Sequence, residues 1–274
     1  MQLPKKIEGF NCYAPDLAVS NSDFDPESFE FLYQYEETNF WFRSRNQVIQ
    51  ILFRNFRKKD VPDVFLEIGC GTGYVLKGLA KFDRLTLNGS EIYLEGLKYA
   101  KRRLPYVEFF QMDATNIPFR NLYDYVGAFD VLEHIDDDLS VMSNVHKALK
   151  SNGLFFISVP QYPFMWSHLD DIACHKRRYT KHEMFNKLKL SGFEVLYSTS
   201  FVFSLFPLMI ISRILKRNKE NHNVARIKIQ EYELNLPRPI NALFEWILKI
   251  DELCIKNKFT LPFGGGLIVV ASKK

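Results

Sequence analysis

Val64-Phe65-Leu66-Glu67-Ile68-Gly69-Cys70-Gly71-Thr72-Gly73-Tyr74 decides the fold of this 274-residue chain. Residues 64–68 form a short apolar run broken only by Glu67, the pattern of a strand buried in a parallel sheet. Glycines at 69, 71 and 73 follow at once and let the backbone turn sharply and approach a ligand closely. Residues 74–82 then read as a helix whose first amides face whatever the loop holds. A dinucleotide loop of the form GxGxxG needs glycine at position 74, where Tyr74 stands. No GKS or GKT follows, which excludes a phosphate-binding P-loop. Glu67, just before the turn, disfavours a phosphate and suits a cation such as an ammonium.

Outward from this stretch, strands alternate with helices. Residues 85–90 read as a second strand, followed by a helix through Arg103. Strands follow at 107–111 and 125–131. A helix over 137–150 stops at Ser151-Asn152-Gly153, and a strand over 154–159 is closed by Pro160. A helix near 181–191, a strand at 193–197 and a last strand at 267–271 complete the series. The alternation predicts an α/β, doubly wound, Rossmann-like sheet with helices on both faces. Two regions fall outside it: residues 1–60, ending in a helical stretch from Arg45 to Arg57, and residues 201–263. The expected organisation is an N-terminal helical cap (1–60), a core (61–200 and 264–274) and a helical insertion (201–263).

Composition narrows the class. At 47% hydrophobic and 25% charged, the chain is neither disordered, collagen-like nor a multi-span membrane protein. A net charge of +4 gives no argument for nucleic acid, and no base-reading module is evident. The cysteines at 12, 70, 174 and 254 have no CxxC spacing. Residues 1–10 lack the apolar segment of a signal peptide, so a reducing, cytoplasmic setting is expected. Fourteen of the 25 phenylalanines lie in 1–60 and 201–263, outside the expected core.

Further acids stand at later strand ends. Glu91 lies about 20 residues past the loop, where an adenosine binder places its ribose-hydroxyl acceptor; the alternative is a solvated strand-end charge. Asp113, in Gln111-Met112-Asp113-Ala114, is placed to accept from an adenine amino group or to cap the next helix. With Glu67, these acids line one crevice at the carboxyl edge of the sheet.

Leu66-Glu67-Ile68-Gly69-Cys70-Gly71-Thr72-Gly73, Glu91, Met112-Asp113-Ala114 and Phe129-Asp130-Val131-Leu132-Glu133-His134 together resemble the ordered motifs of class I S-adenosylmethionine-dependent methyltransferases. The resemblance covers about 61–200 plus the terminal strand, and implies seven strands with the last antiparallel. It implies that Glu67, Gly69, Cys70, Gly71 and Gly73 hold the methionine end of S-adenosylmethionine. Glu91 with Ile92 would hold the ribose and Asp113 with Ala114 the adenine, while Phe129 and Asp130 lie beside the sulfonium. Asn39 to Asn46 and His175-Lys176-Arg177-Arg178-Tyr179 resemble a bacterial subgroup of undefined substrate.

His134, His175 and Tyr179 are the candidate catalytic side chains. His134 follows the fourth strand and is a candidate general base, or else shapes the pocket. His168, Asp170, Asp171 and His175 lack a fixed ligand spacing, so no metal site is assigned. Trp41 and Phe42 read as packing the helix behind them; the alternative closes this segment over the cofactor, with Arg43 meeting its carboxylate.

Residues 201–211 are strongly apolar but too short to span a bilayer before Arg213. Lys216, Arg217, Lys219, Arg226 and Lys228 follow. Apolar then basic is the pattern of an interfacial helix on an anionic membrane, and equally of a buried lid or partner contact. The leading expectation is methyl transfer to a small-molecule or lipid-linked acceptor, to oxygen rather than nitrogen, with both flanking regions capping the site; peripheral membrane contact through 201–228 is the alternative to a buried lid or partner contact there. The alternatives are a non-catalytic binding module on the same fold and a nicotinamide-dependent oxidoreductase, which Tyr74 opposes.

Overall fold

The computed structural model describes residues 3–20, 27–58, 61–216 and 235–274. The expected strands are present: β3 (Asp63–Ile68), β4 (Leu85–Glu91), β5 (Glu108–Gln111), β6 (Tyr123–Phe129), β7 (Leu149–Pro160), β8 (Phe193–Phe201) and β9 (Gly266–Lys273). An N-terminal hairpin, β1 (Lys5–Ile7) and β2 (Phe10–Cys12), joins them. Among the described residues the sheet therefore has nine strands, ordered β1-β2-β5-β4-β3-β6-β7-β9-β8. The expectation of seven strands is corrected here, and the helical N-terminal cap also carries a hairpin. The hairpin turns on Glu8 and Gly9, both at positive φ, and β2 adds parallel to β5 through Asn11 and Cys12. The last strand is antiparallel to both neighbours, β7 and β8.

Successive side chains on each strand enter opposite cores, as pleating requires. Phe65, Phe109, Tyr125, Phe156 and Val270 pack on one face; Leu66, Phe110, Val126, Phe155 and Val269 pack on the other. The first face is covered by α3 (Phe40–Phe56), α4 (Tyr74–Leu79), α5 (Leu94–Arg103) and α10 (Arg238–Lys256); the second by α6 (Asp138–Ala148) and α8 (Lys181–Leu190). α3 starts at Asn39, whose side chain accepts from the Trp41 N–H, a standard N-cap. Its Phe53 meets Phe65, Phe82 and Tyr125 edge-on at 5.6, 5.1 and 5.1 Å, a packed aromatic centre.

The two flanking regions pack on each other. The Phe40 N–H donates to Asn241 Oδ1 at 2.8 Å, and Ser44 Oγ donates to Glu252 Oε1 at 3.0 Å. Asp251, fully buried in α10, accepts from the Phe203 and Ser204 N–H groups at 2.6 and 3.1 Å. This fixes the entry to α9 (Phe206–Lys216). α9 and α10 leave apolar faces outward, with Leu208, Ile211, Ile214, Ile240, Leu243, Trp246, Ile250 and Leu253 exposed. No described helix is long and apolar enough to cross a membrane. Arg217, Lys219, Arg226 and Lys228, part of the expected basic run, lie outside the described residues.

Candidate active site

The carboxyl ends of β3, β4, β5 and β6 open into a cavity of about 820 Å³. Its wall takes in Glu67, Gly69, Cys70, Gly71, Glu91, Ile92, Asp113, Ala114, Phe129, Asp130, His134 and His175 from the expected set. The N-terminal region contributes α2 (Glu27–Tyr35) and the start of α3 through Phe29, Phe31, Glu36, Trp41, Phe42 and Arg45. Among the described residues, none from 201–263 lines it. In the described part of the insertion, α10 supports α3 from behind, through Asn241 and Glu252.

Gly69 has φ +62°, and a Cβ there would meet Val131 at 2.5 Å. Only glycine lets the loop turn under the β6 end at this point. Glu91 ties the loop down. Its Oε2 accepts from the Gly71 N–H at 3.0 Å, and its Oε1 from the Ile92 and Tyr93 N–H groups at 2.7 and 3.3 Å. Burial pushes the Glu91 carboxyl up and these three N–H groups pull it back. Asp113 accepts from the Thr115 N–H at 2.8 Å and hydroxyl at 2.7 Å. It both caps the turn at Ala114–Asn116 and faces the cavity.

Glu67 is different. It is buried, and its Oε2 has no hydrogen-bond partner. Burial holds its carboxyl well above the usual range, with the Arg45 guanidinium opposing and Glu36 and Glu91 adding to the rise. An unmatched buried carboxylate costs free energy until a cation or donor meets it. Glu36 is matched: it accepts from the Thr72 hydroxyl and from Arg103 Nη1, the latter at 2.8 Å. Arg103 also donates to the Thr72 carbonyl at 2.9 Å, so α2 is locked to the glycine loop.

Several expected residues fall elsewhere. Gly73 does not reach the cavity; a Cβ there would meet Ala100 at 3.2 Å, so it lets α4 approach α5. Arg43 pairs with Glu245 on α10 at 3.0 Å and points away from the cavity. Arg45, two residues on and so about half a turn round α3, enters the cavity. It pairs with Asp130, lies 4.8 Å over the Trp41 ring and keeps its Nε without a partner. The spacing Trp41–Arg45 puts both on one helix face, a signal that points to Arg45 rather than Arg43.

Tyr179 is fully buried, and its hydroxyl donates to Asp138 Oδ2 at 2.7 Å and the Leu132 carbonyl at 3.1 Å. It does not line the cavity, and its hydroxyl is bonded within the core. Burial, then Asp138, pushes its phenol far up. Tyr179→Phe is expected to cost about 1–3 kcal/mol of stability in urea unfolding, because Asp138 loses a buried donor. Turnover per folded molecule stays at the wild-type level.

His134 lines the cavity with its imidazole pushed down to about 4, first by burial and then by His175. It is neutral at pH 7 and a weak base. His175 lies 4.9 Å away ring to ring and meets Asp170 through Nδ1 at 2.9 Å. Asp170 is gripped by Arg178 at 2.8 and 3.0 Å. Despite its burial, these partners hold the Asp170 carboxyl far below the usual range.

An open sheet with a glycine loop and acids at successive strand ends defines the class I methyltransferase fold. Residues 40–198 match the sequence profile of the methyltransferase-domain family, and the chain belongs to that family. A Mycolicibacterium smegmatis protein named "probable S-adenosylmethionine-dependent methyltransferase" is 29% identical over 164 residues, 58% of this chain and 61% of the relative. The ubiquinone biosynthesis O-methyltransferase of Histophilus somni is 25% identical over 167 residues, 57% of this chain and 63% of the relative. The chain thus spans less than two thirds of these relatives' lengths. Phosphoethanolamine N-methyltransferase 2 of Haemonchus contortus, solved with S-adenosyl-L-methionine, superposes with a TM-score of 0.59 at 18% identity, covering 93% of this chain and 59% of that one. That likeness concerns the fold alone.

Proposed function

We propose that this chain is an S-adenosylmethionine-dependent methyltransferase acting on the oxygen of a small-molecule or lipid-linked acceptor. The observation that carries the proposal is the buried Glu67 carboxylate, unmatched at Oε2 in a cavity it shares with Glu91 and Asp113. The residues present fit the cofactor. Glu67 would meet the cofactor's ammonium group, Gly69, Cys70 and Gly71 would allow close backbone approach, and Glu91 and Asp113 would offer their remaining acceptor lone pairs to its hydroxyls and amino group. S-adenosylmethionine, when bound, supplies a methyl group on a positively charged sulfur.

The chain's own contribution is placement and exclusion of water. Trp41, Phe42, Phe29 and Phe129 wall the cavity, and in-line placement contributes more to such a displacement than acid–base help. His134, with its imidazole pushed down to about 4, is too weak a base to ionise an aliphatic hydroxyl, which favours an acceptor whose hydroxyl is already acidic, as in a phenol or quinol. The Histophilus somni relative, named as an O-methyltransferase of ubiquinone biosynthesis, supports an oxygen acceptor of this type. The outward apolar faces of α9 and α10 support working at a lipid surface, where such acceptors reside. The test is calorimetric titration with S-adenosylmethionine, followed by a methyl-incorporation assay on phenolic acceptors with and without anionic vesicles. No binding at millimolar cofactor ends the proposal.

A further inference from the structure

Behind the acceptor end of the cavity lies a charge that the chemistry above does not use. Glu133 is fully buried, and neither carboxylate oxygen has a hydrogen-bond partner. Its neighbour His175 offers Nε2 at 3.9 Å from Oε1, too far for a hydrogen bond. His134 joins them, so that one ligand atom from each of Glu133, His134 and His175 lies within 4.8 Å of the others. Two imidazoles and a carboxylate converge, and the carboxylate bonds to neither ring.

We propose that Glu133, His134 and His175 bind a borderline divalent cation of the zinc class at the wall of this cavity. The donor set is that of catalytic zinc sites, with nitrogen and oxygen ligands and an open position. Metal-bonded imidazoles are oriented through their second nitrogen. His175 already gives Nδ1 to Asp170, itself fixed by Arg178, and His134 hydrogen-bonds the Cys174 backbone. The loop is held in place by the Lys176 N–H, which donates to the Glu133 carbonyl at 2.8 Å. Donor atoms around a tetrahedral ion with 2.0–2.1 Å bonds stand roughly 3.3 Å apart, so on binding the 3.9 Å pair closes by about 0.6 Å and the widest pair, within 4.8 Å, by at most about 1.5 Å. His134 and His175 line the cavity, so a bound cation would offer its open position to the acceptor hydroxyl and favour the phenolate, the proton passing to water. That role rests on the methyl-transfer proposal; the metal site itself does not.

The experiment uses the untagged full chain, stripped with chelator and titrated with Co²⁺ under visible absorption. One equivalent is expected to bind with d–d bands and without an intense near-ultraviolet thiolate band. Glu133→Gln and His175→Ala are each expected to weaken binding by roughly 100-fold or more. Glu133→Gln removes an unmatched buried charge, so it should melt no lower than wild type and control for folding. Absence of a one-to-one site, a thiolate band from Cys70 or Cys174, or equal affinity in the variants overturns the site. Parallel calorimetry with S-adenosylmethionine separates the two proposals: cofactor binding without Co²⁺ binding removes only the metal, and the reverse removes only the methyl-transfer reading.

Discussion

Glu67→Gln is expected to weaken S-adenosylmethionine binding by roughly 30- to 4,000-fold, while raising the melting temperature of the ligand-free protein. Both effects come from one carboxylate, buried on β3 with Oε2 unmatched. Truncating one partner of a desolvated charge pair costs about 2–5 kcal/mol of affinity, which sets the fold-change. Without ligand the same charge is a liability of about 1–3 kcal/mol, so its removal should raise melting by about 2–8 °C. The pH dependence fixes the sign. An acid whose folded-state pKa is raised holds its proton more tightly when folded. Its favourable contribution is complete below the ordinary carboxyl pKa and is lost as pH rises through the raised value. The variant should therefore gain more at pH 8 than at pH 5. Scanning calorimetry at both pH values and a cofactor titration at pH 8 check it; unchanged affinity would remove Glu67 from the site.

The sheet and the acids on its edge are legible in sequence because their signals are local. A buried parallel strand reads as an apolar run, and its end is marked by glycine or a charge. Glu67, Glu91 and Asp113 each sit at such an end, and the parallel order alone brings them together. The N-terminal hairpin is less legible because its strands have three residues each, too short for alternation to register. Its signal is the turn, Glu8-Gly9, between Ile7 and Phe10, which pair directly.

What the pattern of residues leaves open is the direction of long side chains on docked helices. Arg43 and Arg45 have the same chemistry two positions apart, and only the docking of α3 against α10 decides which enters the cavity. Glu245 on α10 takes Arg43 outward, and Asp130 takes Arg45 inward. Tyr179 shows the same limit from the other side. A polar aromatic near two arginines and a histidine reads as an acceptor contact, yet Asp138, 41 residues away in sequence, holds it in the core. Glu133 fits neither expectation: a charge at a fully buried position, with a demand only its tertiary neighbours reveal.

Arg45→Ala is expected to cost about 3 kcal/mol at pH 8 and about 1 kcal/mol at pH 5, as removing one member of a buried charge cluster does. Arg45 stands among several acids. It pairs with Asp130 and lowers the carboxyl pKa of both Glu67 and Glu133. Asp130 has φ +56°, a conformation that persists only when its surroundings over-determine it. The guanidinium and the Ser158 hydroxyl, which donates to Asp130 Oδ1 at 3.1 Å, supply that constraint. With the cation gone, Glu67 and Glu133 titrate still higher. Protonation at pH 5 then relieves them, and the difference from wild type shrinks. Arg45→Lys keeps the charge but loses the planar group over Trp41, and should fall between the two. Urea unfolding at pH 5 and pH 8 measures all three chains. An Arg45→Ala cost that is the same at both pH values would mean that the carboxylates are compensated elsewhere, and that Arg45 acts through its stacking on Trp41 alone.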